Sequence, residues 1–147
     1  MLLTTPALIL ATYIRAQGLM SIPADDDDWP LYVSYMPDSS GVKTNSGAIY
    51  DASGKKDGRL MAGTVIQHYG VQIKIRSSVY TTGWAKLEAI ATNLYTIDNA
   101  EVTVSGEDYQ ICNVSRIEPI ISLGNEEGTK ERQLFKSDFL MTVKITS

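Results

Sequence analysis

The chain has few of the residues that build metal and disulfide sites: one cysteine, Cys112, and one histidine, His68, in 147 residues. A single cysteine excludes a disulfide within the chain, and one Cys with one His is too few for a zinc site. Cys112 falls in a predicted strand, where a buried, inert thiol is expected. Catalysis by a Ser-His-Asp or Cys-His arrangement would depend on His68, which starts a predicted strand and has no motif residues beside it. We therefore expect no catalytic residues, no cofactor and no enzymatic turnover.

The chain also lacks an apolar run long enough to cross a bilayer. The short run at residues 7–11 resembles the apolar part of a signal peptide, but no basic residue precedes it and Arg15 follows closely. A first helix explains it better, with Thr5 as N-cap, Pro6 at the first helical position and Gly18 after the end. The buried face of this helix would consist of Leu3, Ala7, Leu10 and Ile14. We expect an intracellular protein without a membrane partner.

Length and net charge limit the number of domains and the kinds of partner. A chain of 147 residues suffices for one domain with a proper core and is too short for two ordinary ones. The net charge of −4 makes a general nucleic-acid-binding surface a poor expectation, although local basic patches remain possible.

The most informative stretch lies between His68 and Leu94. Residues 71–76 (VQIKIR) alternate apolar and polar side chains, which indicates a half-buried strand. The period then changes, because apolar residues recur at steps of three and four, which is helical spacing. These residues are Tyr80, Trp84, Leu87, Ala91 and Leu94. We expect Tyr80 and Trp84 to pack between helix and sheet.

The remaining pattern is mostly β. Strands are predicted at residues 31–36, 101–104, 109–123 (with a possible break at Pro119) and 135–145. Residues 39–63 contain five glycines and predict a long loop or a loose hairpin. The predicted fold is α+β: one domain spanning residues 1–147, with a mostly antiparallel sheet, two main helices packed on one face, and an insertion at about 39–63. The final strand and the strand at 31–36 are the expected sheet edges.

Two charged motifs fall short of known ligand sites. Asp25, Asp26, Asp27 and Asp28 are weak candidates for a divalent cation, because the spacing and the terminal glutamate of an EF-hand loop are missing. Lys55 and Lys56 follow Gly54 as in a phosphate loop, but no glycine stands five residues earlier and no Ser or Thr follows. We therefore predict no metal site, with the four aspartates as the only weak candidates.

Two further sets of residues are candidate interaction sites. The basic residues of the insertion are the most plausible contacts to a polyanion, against the plainer alternative of a solvated segment. A turn of mixed charge before the final strand could reach neighbouring subunits. The two sets are Lys43, Lys55, Lys56 and Arg59, and Asn125, Glu126, Glu127 and Lys130.

The order of these parts resembles the tail terminator proteins of long-tailed bacteriophages, also labelled minor capsid or tail completion proteins. The resemblance is carried by residues 71–80 (VQIKIRSSVY) running into the helix 84–90 (WAKLEAI). Residues 113–117 (NVSRI), the turn at Leu123-Gly124 and residues 132–139 (RQLFKSDF) add to it, as do the first helix and the strand 31–36 ending at Pro37-Asp38.

The resemblance implies a structural role in the virion. Such proteins form a six-membered ring at the head-proximal end of the tail tube, end tube polymerisation and allow head–tail joining. The implied partners are other copies of the chain, the tail-tube protein and the head-completion protein, with DNA passing through the lumen without sequence-specific binding. The implied location is the virion neck, after synthesis in the bacterial host cytoplasm.

Two alternatives stay open. One is another neck or tail component, such as a head-completion stopper or a tail-tube subunit, which would share the α+β fold and the assembly into rings. The other is a small enzyme or ligand-binding domain that uses a cleft beside the corner at Ser77 to Tyr80.

Overall fold

A computed structural model describes residues 4–23, 29–35, 45–59, 65–125 and 133–145, with the backbone alone at 53–59, 65, 125 and 145. Two helices and seven strands occur in this part of the chain. In chain order they are α1 (Pro6–Ala16), β1 (Leu31–Val33), β2 (Ser46–Arg59), β3 (Val65–Ser77), α2 (Tyr80–Tyr95), β4 (Ala100–Val104), β5 (Glu107–Arg116), β6 (Ile121–Asn125) and β7 (Gln133–Ile145).

Helix α1 begins and ends as its end residues predict. The Thr5 hydroxyl accepts a hydrogen bond from the Leu8 N–H at 3.2 Å, and Pro6 occupies the first turn, where its missing N–H costs nothing. Gly18 has a φ of +75°, the left-handed conformation that glycine adopts most easily after a helix. The predicted buried face is confirmed at Ala7, Leu10 and Ile14, which are fully buried. Leu3 lies outside the described residues.

The seven strands form one sheet in the order β1-β2-β3-β7-β5-β4, and β6 pairs with β7 beside β5. All pairs are antiparallel except β1 with β2. The predicted α+β class is confirmed. No helix in the described part of the chain is long and apolar enough to cross a membrane.

The core lies between the helices and one face of this sheet. α1 contacts β1, β2 and β3 and also β4 at the far edge, whereas α2 lies over β3, β5 and β7. A strand at each end of the sheet therefore reaches the same helix, so the sheet curls around α1. The alternating residues of the two central strands supply much of the core: Val71, Ile73 and Ile75 from β3, and Phe135, Phe139, Met141 and Val143 from β7.

Some strand predictions need correction. The expectation that the final strand forms an edge is wrong, because β7 lies between β3 and the pair β5 and β6. The alternating pattern of that strand suits an edge and a central antiparallel strand equally, so it cannot choose between them. The expected edge at residues 31–36 is confirmed in β1, which ends at Val33.

The structure describes part of the predicted insertion and the Pro119 break. Of the residues 39–63 predicted to form a loop or a hairpin, residues 46–59 form β2 and pair with β3. Residues 39–44 and 60–63 lie outside the described residues. Register shifts between Ala52 and Lys55 and between Lys56 and Arg59 accommodate the glycines there. The predicted strand 109–123 is interrupted near Pro119, with β5 ending at Arg116 and β6 beginning at Ile121.

Gly83 provides the first testable prediction. A Cβ at this position would lie 2.6 Å from Phe135 Cε2 and 3.1 Å from Ser77 Cβ. Gly→Ala at an open helical position stabilises a protein by about 0.5–1 kcal/mol, but overpacking costs about 1–3 kcal/mol. We expect Gly83→Ala to lower the free energy of unfolding by about 1–2 kcal/mol in urea titrations. The neighbouring Thr82→Ala, at an exposed position, is the control, and a stabilised Gly83→Ala variant would contradict the tight contact.

Candidate interaction surface

The corner between β3 and α2 is fixed by local hydrogen bonds. The Ser77 hydroxyl donates to Asn45 Oδ1 at 2.9 Å and accepts from the Val79 N–H at 3.2 Å. Val79 is the N-cap of α2 and supplies no side-chain cap, although its carbonyl accepts from the Gly83 N–H at 3.0 Å. The helix therefore begins with an apolar residue that is 50% exposed, where a polar cap is usual.

Phe135 is the buried base on which the first turns of α2 lie. Its ring meets Tyr80 at a centroid distance of 5.3 Å and Trp84 at 6.3 Å, both edge to face. Gly83 brings the helix close enough for these contacts. Tyr80 remains 49% exposed and Trp84 38% exposed. The predicted helix–sheet packing of both residues is present, but each ring also has an outer face in solvent.

Strand β6 pairs with β7 at Phe135 and carries two further exposed apolar side chains. Ser122 is the register partner of Phe135, and Ile121 pairs with Lys136. Because side chains alternate along a strand, Ile121 lies on the opposite face of the sheet from Phe135. Ile121 is 39% exposed and Leu123 44%.

We call this surface the α2–β6 patch; its members are Val79, Tyr80, Trp84, Ile121 and Leu123. It contains five of the nine exposed large hydrophobic side chains in the described residues. The sequence pattern did not identify Ile121 and Leu123, although their spacing of two after Pro119 was a usable signal for a strand with one apolar row.

A second apolar feature is a cavity between the C-terminal half of α2 and the sheet. Its volume is about 180 Å³, and its lining is Ala91, Thr92, Leu94, Tyr95, Val114, Arg116 and Phe139. At its rim the Arg116 guanidinium forms two hydrogen bonds with the Glu88 carboxylate, at 2.9 and 3.3 Å. The guanidinium is thus already neutralised, and the lining offers no nucleophile paired with a base. The cavity is separate from the Ser77–Tyr80 corner, where Gly83 and Phe135 are in close contact.

The polar face of the sheet carries a row of paired charges. Gln72 Nε2 donates to Asp138 Oδ1 at 3.0 Å, and Lys136 Nζ lies 3.8 Å from Asp138 Oδ2. Lys74, the register partner of Lys136, places its ammonium 5.4 Å from the Tyr50 ring centroid. Burial raises the pKa of the Tyr50 phenol. Each lysine of this like-charged pair thus has a partner of its own, which offsets their mutual repulsion.

The single histidine contacts a side chain on the neighbouring strand. His68 Nδ1 lies 2.7 Å from Thr142 Oγ1, its register partner on β7. Among the described residues, no group of His, Cys, Asp or Glu side chains could hold a metal ion. Asp25, Asp26, Asp27 and Asp28 lie outside the described residues.

The predicted interaction residues are only partly covered by the structure. Lys55, Lys56 and Arg59 lie on the distal half of β2, and Asn125 is the last residue of β6. Lys43, Glu126, Glu127 and Lys130 lie outside the described residues.

Comparisons with known proteins come from three sources. No model of a protein family matches the chain, and no curated protein matches it. Among solved structures, the chain is similar to one in a structure described as "Virion of native gene transfer agent (GTA) particle", with 9% identity, a TM-score of 0.47 and 78% of each chain covered. A likeness at this level carries no argument about function.

Cys112 gives the second prediction. It is partly buried on β5, and burial raises the pKa of its thiol, with a smaller opposing effect from Lys144. Since the thiolate is the reactive form, we expect alkylation by iodoacetamide at pH 8 to be several-fold slower in the folded protein than in guanidinium. The rate should also rise at higher pH than it does for the unfolded chain. Equal rates in the two states would show that Cys112 is a freely reactive thiol.

Proposed function

We propose that this protein is a structural component of a phage virion that forms a ring at the head-proximal end of the tail tube. There it ends tube polymerisation and allows head–tail joining, without catalytic turnover or a cofactor. The α2–β6 patch is the observation that carries the proposal, and the residue-level resemblance to tail terminators supplies its identity.

The patch is typical of a surface that binds protein. Solvent-exposed apolar side chains are ordinary when scattered, whereas here Tyr80 and Trp84 share one support, Phe135, and β6 carries two more beside it in the chain fold. Tyr and Trp are enriched in the energetically dominant parts of interfaces. Phe135 holds Tyr80 and Trp84 in defined positions, so little side-chain entropy is left to lose on association.

The open sheet also favours association between copies. β1 and β4 are the end strands of the described sheet, and β6 adds a short outer strand that pairs with β7 beside β5. Strand edges with unpaired backbone groups tend to add further strands, and a closed ring satisfies them without open-ended growth. In this proposal the partners are copies of the chain, the tail-tube protein and the head-completion protein, and DNA passes through the lumen without specific contacts.

Assembly state gives the third prediction. In a native mass and negative-stain concentration series, we expect discrete rings with a central hole and about six subunits, the number that the resemblance implies. One heterologous interface repeated by rotation makes a ring when the rotation closes. Long tubes formed by the pure protein would instead identify a tail-tube subunit. A monomer or dimer that also ignores tail tubes would contradict the proposal.

Val79→Ser gives the fourth prediction. Serine at the N-cap can accept a hydrogen bond from the first turn, so the free energy of unfolding should rise by about 0.5–1 kcal/mol. The same change removes an exposed apolar side chain from the patch, so self-association should weaken on the order of 10-fold. Urea titration measures the first effect and sedimentation velocity the second.

This variant is informative because its stability should rise while its self-association should weaken. Tyr95→Ser is the matched control, because Tyr95 is 83% exposed, lies on the same helix and is outside the patch. It should leave association unchanged. Undiminished association of Val79→Ser would exclude the patch as a subunit contact.

A further inference from the structure

The sheet has two different outer edges. Along the strand direction, each edge has an apolar part and a charged part, which we call its first and second level. One edge consists of β6 and β4; the other consists of β1 and the distal half of β2. The register of the sheet shows which residues of the two edges lie at the same level.

At the first level both edges are apolar. A single row of register partners runs from Ile121 on β6 through Lys136, Lys74 and Ala48 to Tyr32 on β1. Tyr32 packs against Tyr35 with a ring centroid distance of 5.4 Å, and Tyr35 is 57% exposed. The apolar β6 and the tyrosine pair at β1 therefore lie at the same height on opposite edges.

At the second level the edges carry opposite charge. Another row runs from Lys56 on β2 through Gln67, Val143 and Ile111 to Ala100 on β4. Residues 55–59 include Lys55, Lys56 and Arg59 against Asp57, a net charge of +2. Residues 96–111 include Asp98, Glu101, Glu107 and Asp108 and no lysine or arginine, a net charge of −4. All four of these acidic residues are exposed.

The two edges cannot join within one subunit. α1 contacts β1 and β2 on one side and β4 on the other, so the helix occupies the space between them. β1 covers β2 only at Gly47, Ala48 and Ile49 among the described residues, which leaves the distal half of β2 as an outer edge.

We propose that the β6–β4 edge of one copy docks against the β1–β2 edge of the next copy, with β6 facing β1 and the acidic β4–β5 hairpin facing Lys55, Lys56 and Arg59. The inference rests on the proposed function and specifies its subunit contact. The interface is heterologous, because each copy uses two different surfaces, and such contacts make rings when the rotation closes. Opposite charges at the second level fix how the two edges align, and they exclude contacts between two copies of the same edge.

A charge-swap experiment tests this pairing. One variant carries Lys55→Glu and Lys56→Glu; the other carries Glu101→Lys and Glu107→Lys. Asp108 is kept, because its carboxylate accepts a hydrogen bond from the Thr103 hydroxyl. Each variant alone removes the opposite charge across every interface, because residues 55–59 change from +2 to −2 in the first and residues 96–111 change from −4 to 0 in the second. We expect self-association to weaken on the order of 100-fold in the first variant, where like charges then face each other, and on the order of 10-fold in the second.

Mixing the two variants should restore assembly. In an alternating ring, the acidic β4 edge of the first variant meets the unchanged basic β2 of the second. At the next interface, the two new lysines on the β4 edge of the second meet the two new glutamates on β2 of the first. We therefore expect equimolar mixtures to form rings of wild-type size containing both chains in a 1:1 ratio, seen by native mass spectrometry.

Controls separate this inference from the proposed function. Thr92→Lys changes the charge at an exposed position on α2, outside both edges, and should assemble as the wild type does. Circular dichroism on each variant confirms folding. Variants that form rings alone, or a mixture that fails to form them, would overturn the edge pairing while leaving the ring itself intact. A wild-type chain that never forms rings would instead overturn the proposed function.

Discussion

The pairing of β3 with β7 is the constraint on which the rest of the structure depends. Residues 65–77 and 133–145 pair without a register shift over the full length of both strands. Because side chains alternate, this register places the apolar rows of both strands on the same face, where they form the floor beneath both helices. A slip of one residue would turn Phe135 away from Gly83 and remove the support of the α2–β6 patch. The patch, the curl around α1 and the positions of both edges all follow from this one pairing.

Local chemistry predicted the helices well. Thr5, Pro6 and Gly18 determine the ends of α1 through hydrogen bonding and backbone preference, which act over a few residues. The change of period after Ser77 likewise located α2. The order of strands could not be predicted in the same way, because partners far apart in the chain determine it. The alternation of β7 fits an edge strand and a central strand equally, and only its pairing shows that it lies at the centre.

The interaction surface was partly predictable for a related reason. Tyr80 and Trp84 were recognised as helix–sheet residues, and Phe135 is indeed their partner. The remaining exposure of both side chains depends on which elements pack around α2, and the periodicity of α2 holds no information on that point. The basic residues of β2 were identified by charge alone. Their relation to the acidic β4–β5 hairpin became visible only through the register that connects the two edges.

The position of β7 has a consequence for biosynthesis. It follows β3, β5 and β6 in the chain and pairs with all three, so these three strands emerge from the ribosome before their common partner exists. Contacts between residues so distant in sequence form slowly, and strands waiting for a partner expose apolar rows and free hydrogen-bonding groups. The nascent chain therefore carries an unfinished sheet until β7 emerges, and during that interval it is a natural client for chaperones. Strands β4, β5 and β6 connect to β3 only through β7, so a chain without β7 does not have both outer edges in one sheet.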